Sequence, residues 1–180
     1  AGGVALNCVG NGRILREGIF DKIWVQPASN DAGGALGVAQ FIWHQLLDHS
    51  RTPGKIDSQK GSLLGPRFDH ESCLETVNRE DTPFTHLESE DERARWIAEQ
   101  INEGKVVGLM QGRMEFGPRA LGCRSILGDP RSEKMQRLIN LKIKYRESFR
   151  PFAPSVLRKS ASEWFDFDPN QESPYMLLVT

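Results

Sequence analysis

The stretch GKVVGLMQGRMEFGPRALGCRSILGDPRSEKMQRLINLKIKYRESFRPFAPSVL, Gly104 to Leu157, decides how the rest of the chain is read. Val106, Val107, Gly108, Leu109 and Met110 form a short apolar run of the length of a buried strand. A Gly- and Arg-rich loop follows, carrying Arg113, Arg119 and Arg124, and then a second short apolar stretch, Ser125 to Leu127. Pro130 and Ser132 mark the start of a helical pattern with Met135, Leu138, Ile139 and Leu141 as its apolar positions. The segment KIKYRESFRPF then brings Lys142, Lys144, Arg146 and Arg150 close together.

Charge separates this stretch from what precedes it. From Arg113 to Lys159 there are 12 Lys/Arg against 4 Asp/Glu, whereas Asp69 to Glu103 holds 3 basic and 11 acidic residues. The whole chain sits at −1, so the basic charge is segregated rather than in excess. It is also mixed with Gly, Pro and Phe, unlike the Lys/Glu-rich face of a solvated helix. Arginines beside tight-turn residues suit a polyanion, because a guanidinium recognises phosphate or carboxylate bidentately. The alternative is a solvated basic surface whose arginines pair with carboxylates of the acidic segment.

Working outward, 180 residues suit one domain or parts of two, and 38% hydrophobic residues are enough for a core. No apolar run reaches the ~18 residues of a membrane helix, and the start, AGGVALNCVGNG, lacks the basic n-region of a signal peptide. Cys8, Cys73 and Cys123 are odd in number and far apart, which predicts free thiols in a reducing, cytoplasmic setting. Cys123, inside the Arg loop, reads as a structural cysteine. Both ends read as cut, so the chain is expected to be an excised piece of a larger protein.

Ala1 to Asn7 is small and apolar, and Asn11-Gly12 reads as a turn. Lys22 to Gln26 reads as a strand. Ala35 to Asp48 has helical spacing (Leu36, Trp43, Leu46, Leu47), with Ser29, Asn30 and Asp31 as N-cap candidates. Asp31, Gly33 and Gly34 therefore sit where a helix begins, and outward-pointing N–H groups there favour an anion. Equally, the glycines permit close packing and Asp31 is a cap. Ser50 to Lys60 is the linker candidate. Ser72 to Val77 is a weak helix. Glu88 to Glu103 is amphipathic, with a Ser89/Glu92 capping box and Gly104 as its stop. Ser160 to Phe165 is a short helix, Asp168 to Asn170 a turn, and Tyr175 to Thr180 a strand. Trp43 and Trp96 read as core residues.

GGVALN (residues 2–7), QPASNDAGGALGVA (26–39), GRMEFGPRALGCRSILGDPR and NLKIKYRESFRPFAPSVL together resemble the NodU/CmcH-type O-carbamoyltransferases. Residues 51–88 carry the resemblance only weakly, through Leu64-Gly-Pro66. The resemblance implies an α/β fold: residues 1–60 as the end of an ASKHA-like (actin/hexokinase-type) ATPase lobe, and 61–180 as part of a YrdC-like α/β domain. In that family the YrdC-like part makes carbamoyl adenylate from carbamoyl phosphate and ATP. The ASKHA part passes the carbamoyl group to a hydroxyl of a small-molecule acceptor such as a sugar, an antibiotic or a nodulation factor precursor.

By the same resemblance, Gly2, Gly3 and Asn7 match the nucleotide-facing motif. Asp31 matches a metal-ligand aspartate (Mg²⁺ or Fe²⁺), and Gly33 and Gly34 match the phosphate-side glycines. Arg119, Lys144 and Arg150 match the catalytic basic residues that hold carbamoyl phosphate and the ATP phosphates, with Arg113, Arg124 and Arg146 as further substrate-binding candidates. The charged heads of Arg119, Lys144 and Arg150 are expected to share one anion. The family's His-x-x-x-His metal pair does not occur here. Implied partners are carbamoyl phosphate, ATP and the acceptor, with a homodimer expected and neither membrane nor nucleic acid. Two competing readings are an RNA-modifying relative of the threonylcarbamoyl type and a sugar-kinase-like ATPase. Phe116, Tyr145, Phe149 and Phe152 show no RNA-stacking pattern, and the GPRALG block has no place in a sugar kinase.

Overall fold

The computed structural model of the chain describes residues 1–54, 56–166 and 171–180. In chain order the elements are α1 Gly2–Ala5, α2 Cys8–Glu17, α3 Asp31–Phe41, α4 His70–Arg79, α5 Glu90–Asn102, β1 Val107–Met110, β2 Arg124–Leu127, α6 Met135–Leu138 and α7 Ala161–Trp164. α3 runs on into a π-helical turn, Ile42–Leu46, and α6 into another, Ile139–Ile143. The fold is α/β with one two-stranded antiparallel sheet among the described residues. None of the described helices is long and apolar enough to cross a membrane.

The chain divides into two compact units that interleave along the sequence. The first comprises Ala1–Gly65, Arg113–Leu121 and Val156–Thr180, and the second Pro66–Gly112 and Gly122–Ser155.

In the second unit β1 and β2 pair with Val107 opposite Leu127 and Met110 opposite Arg124, and Gln111 N–H continues the ladder to Cys123 O at 3.0 Å. α5 packs against β1. Its start is fixed as the sequence predicts: Ser89 Oγ accepts from Glu92 N–H at 3.1 Å. The reciprocal bond shifts by one residue, Glu92 Oε2 accepting from Glu88 N–H at 2.8 Å. Gly104, at φ +80°, supplies the left-handed residue that stops the helix. α6 lies against the end of β2, where a Cβ on Gly128 would stand 2.8 Å from Ile139 Cδ1 and Met135 Cγ. Met135 and Ile139 are the buried apolar residues of this unit among those described. Asp129 accepts from Arg131 N–H and Nε, both at 2.9 Å, and Arg131 Nη2 reaches Asn102 Oδ1 at 2.8 Å, tying β2 to the end of α5. The Arg131 guanidinium holds the Asp129 carboxyl below the usual carboxylate range.

In the first unit α2 replaces the expected Asn11-Gly12 turn. Asn7 is its N-cap, the side chain accepting from Gly10 N–H at 3.1 Å, and Asn11 and Gly12 are buried in its interior. Asn11 Nδ2 donates to Ala5 O (2.8 Å) and Leu177 O (3.1 Å), and Arg16 Nη1 to Val179 O (2.9 Å), so the C-terminal segment lies along α2. That segment is not the predicted strand, and neither it nor residues 22–26 pairs with a neighbouring strand among the described residues. Tyr175 Oη donates to Asp57 and accepts from Gly61 N–H, fastening the 57–62 segment. Burial, with the Asp57 bond second, pushes the Tyr175 phenol up to about 12.

Trp43 and Trp96 are half-exposed rather than core residues, and Trp43 stacks on His49 with ring centroids 3.7 Å apart. α3 and its π-helical extension expose Val38, Phe41, Ile42, Leu46 and Leu47. A helix apolar on every side is the pattern of one enclosed by protein. The predicted turn at Asp168 to Asn170 lies outside the described residues.

Candidate functional site

Three separate stretches named from the sequence meet in the first unit. Gly2, at φ +68°, is in the left-handed region that a glycine tolerates, and its N–H donates to Ser29 O at 2.7 Å. This places α1 at the start of α3. Gly117, at φ +130°, turns the GPRALG loop so that a Cβ there would lie 3.3 Å from Ala28 Cβ. Arg119 Nη2 then donates to Leu6 O at 2.9 Å. The Gly2–Asn7 motif, the Ser29–Gly34 turn into α3 and the Gly117–Arg119 turn are thus mutual neighbours. A narrow crevice beside them is lined by Pro27, Ser62, Phe116, Pro118, Arg119 and Tyr175.

The start of α3 separates its two glycines. A Cβ on Gly33 would stand 1.8 Å from Ala28 O, whereas Gly34 has nothing within 4 Å. Gly33 is there for packing, and Gly34 leaves open space. Asn30, not Asp31, is the N-cap, and its side chain makes no capping bond. Asp31 is the exposed first residue of the helix, a position where a carboxylate suits the dipole. Beside it, Ser29 Oγ and Asn30 Oδ1 are buried with no hydrogen-bond partner among the described residues. Hard oxygen donors of this kind suit Mg²⁺ better than a soft metal. No group of three or more His, Cys, Asp or Glu that could hold a metal stands together among the described residues. Asp31 therefore fits as one ligand, not as a complete metal centre. Asn7 spends its side-chain oxygen on capping α2. Gly3, like Gly34, has nothing within 4 Å of where a Cβ would stand.

The arginines divide by what they touch. Arg119 Nε is buried without a hydrogen-bond partner among the described residues, while its Nη2 is held by the Leu6 carbonyl. Arg113 donates Nε to Leu63 O at 3.2 Å, bracing its own unit's main chain. In the second unit Arg124 donates Nη1 to Gln111 O and Cys123 O, both at 2.8 Å, at the mouth of the β1–β2 hairpin. Arg146 gives Nε to Asn140 Oδ1 at 2.7 Å, and its guanidinium lies 5.0 Å from the Phe152 ring centroid. Arg150 pairs through Nε with Glu147 at 2.7 Å, not with the acidic segment, and this bond holds the Glu147 carboxyl below its ordinary value. Lys144 is exposed, with no side-chain partner among the described residues. Arg119 belongs to the first unit, and Lys144 and Arg150 to the second.

Two polar residues that the sequence reading passed over are Glu115 and Asn140. Glu115 is buried and accepts from Leu121 N–H at 2.7 Å, closing the GPRALG loop. Its signal was a lone carboxylate between Met114 and Phe116. Asn140 is fully buried, and its signal was an amide at the junction of an apolar and a basic run.

The carbamoyltransferase N-terminus family model matches residues 1–40, and the carbamoyltransferase C-terminus model matches residues 98–180. The chain belongs to the carbamoyltransferase family. It is similar to an uncharacterised Synechocystis protein (56% identical, 99% of this chain, 29% of that protein). It is similar also to nodulation protein NolO of Bradyrhizobium diazoefficiens (42% identical, 99% of this chain, 32% of that protein). A third relative is 3'-hydroxymethylcephem-O-carbamoyltransferase of Streptomyces clavuligerus (32% identical, 98% of this chain, 31% of that protein). The chain thus spans under a third of the length of these relatives. The two matched regions take in every site residue named from the sequence: Gly2 to Gly34 fall in the first, and Arg113 to Arg150 in the second.

Proposed function

We propose that the natural polypeptide carrying this sequence is an ATP-dependent O-carbamoyltransferase. The observation that carries this is the pair of matches, N-terminal then C-terminal, on one chain. Carbamoyl phosphate, ATP and water give carbamoyl adenylate, pyrophosphate and phosphate. A carbamate oxygen attacks the α-phosphorus, and the bond to the β-phosphate breaks. An acceptor hydroxyl then attacks the carbamoyl carbon and AMP leaves. Residues 1–60 form the end of the ASKHA-like lobe, and 61–180 part of the YrdC-like domain.

Both phosphorylated substrates are anions, and their repulsion opposes the first step. Arg119, Lys144 and Arg150 offset that charge and stabilise what develops on the leaving pyrophosphate. Gly3 and Gly34 leave backbone open to a nucleotide phosphate, and Gly2 turns the chain toward α3. Arg113, Arg124 and Arg146 hold the loops by their carbonyl and amide contacts. A divalent cation bound in part by Asp31 would neutralise phosphate charge. The nodulation and cephem-carbamoylating relatives favour a small-molecule hydroxyl over RNA as acceptor. A cytoplasmic homodimer is part of the same proposal.

Asp31 supplies the test of the metal assignment. Losing a charged ligand removes several kcal/mol of metal-borne stabilisation, so Asp31→Asn is expected to lower carbamoyl transfer by about a hundredfold or more. Raising the cation concentration should restore part of it, with the fold intact by circular dichroism. An unchanged metal titration would return Asp31 to a purely helix-stabilising role.

A further inference from the structure

Asn140 is fully buried, and among the described residues its side-chain amide bonds to the basic loop that follows it. Its Nδ2 donates to Ser148 O at 3.1 Å and Arg150 O at 2.8 Å, and its Oδ1 accepts from Arg146 Nε at 2.7 Å. Its own carbonyl accepts from Arg146 N–H at 3.0 Å. Gln136, four residues earlier and so on the same helical face, donates Nε2 to Phe149 O at 3.3 Å and Arg150 O at 3.1 Å. Two amides from α6 and its π-helical extension thus grip three consecutive carbonyls. Both converge on Arg150, whose backbone is restricted further by Pro151.

An apolar side chain would fill this buried position without desolvating an amide. The loop it serves carries Lys144, Arg146 and Arg150 with Glu147 as its one carboxylate, and like charges held close repel. The amide bonds, the Arg146 guanidinium beside the Phe152 ring and the Arg150–Glu147 pair together fasten this loop to α6, its π-helical extension and itself.

We infer that Asn140, seconded by Gln136, is a positioning residue that fixes Arg150 in advance for a phosphate-bearing substrate, with Arg146 as brace rather than ligand. This rests on the carbamoyltransferase reading above. Preorganisation raises affinity by removing the ordering cost from the binding step.

The test is a double-mutant cycle on carbamoyl phosphate binding by the natural polypeptide, measured by calorimetry. Asn140→Leu keeps the branched side-chain skeleton and the charge while deleting the amide, and is expected to raise Kd about tenfold. In an Arg150→Ala background the same change should cost no more than about twofold, because Asn140 acts through Arg150. A purely packing role would give equal factors in both backgrounds and would overturn the inference while leaving the functional reading intact. If Asn140→Leu does not fold, Gln136→Leu, at an exposed position, carries the same cycle with an expected factor of about threefold. A wild-type protein that does not bind carbamoyl phosphate overturns both.

Discussion

Replacing Arg119, Lys144 or Arg150 singly by alanine is expected to weaken binding of carbamoyl phosphate or ATP by roughly ten- to a hundredfold. A hydrogen bond to a charged group contributes about 1.5–3 kcal/mol, and about 1.4 kcal/mol is tenfold in affinity. The structure makes the largest loss expected at Arg119. Its Nη2 is pinned to Leu6 O and its Nε is buried without a partner among the described residues, so the guanidinium is oriented and one donor is already desolvated. Arg150 keeps Glu147 as a competing partner, and Lys144 is an exposed ammonium, so their losses should lie lower in the range. If Lys144 and Arg150, which belong to one unit, act on one substrate charge, the loss in their double mutant will fall short of the product of the singles. Titrating each variant with both substrates decides the matter. Kd values within twofold of wild type for all three would remove these residues from the binding step.

The second large effect is at the start of α3, where two adjacent glycines are expected to respond oppositely. Gly33→Ala drives a Cβ to 1.8 Å from Ala28 O, a backbone atom that no rotamer change can move. Ala28 is itself fully buried, so the turn has no room to retreat. The expected cost is about 3 kcal/mol, the upper end for an overpacked site. Gly34→Ala meets nothing within 4 Å and replaces a glycine inside a helix, which should stabilise by roughly 0.5–1 kcal/mol. If a nucleotide phosphate approaches Gly34, the same methyl group should raise the KM for ATP about tenfold. Thermal melting and ATP kinetics separate the two. A Gly33→Ala protein as stable as wild type would contradict the close approach to Ala28. An unchanged KM in Gly34→Ala would take Gly34 out of the phosphate site.

Some of this was legible in the sequence because its causes are local. The capping box at Ser89, the apolar face of α5 and the stop at Gly104 all lie within one helix, and the two apolar runs flanking the Arg loop pair as β1 and β2. The misreadings have causes elsewhere in the chain. Asn11-Gly12 has the composition of a turn, but a Cβ on Gly12 would stand 2.6 Å from Val179 O, and Asn11 bonds to Leu177 O. A glycine kept for a neighbour more than 160 residues away leaves no local trace. Residues 22–26 and 175–180 have strand composition, but a strand exists only through its pairing, which composition does not encode. In the site, the Arg-rich loop announced an anion by residue type alone. What the sequence did not reveal is that Arg113 and Arg124 point donors at main-chain carbonyls, because every residue carries a carbonyl and none is marked in the sequence.

The measurement closest to the central claim is pyrophosphate release from ATP by the natural polypeptide, with and without carbamoyl phosphate. The account predicts that pyrophosphate appears only when carbamoyl phosphate is present. With a hydroxyl acceptor added, AMP should be the nucleotide product, one for each carbamoyl group transferred. Cleavage of ATP to ADP and phosphate, or pyrophosphate release indifferent to carbamoyl phosphate, would contradict it.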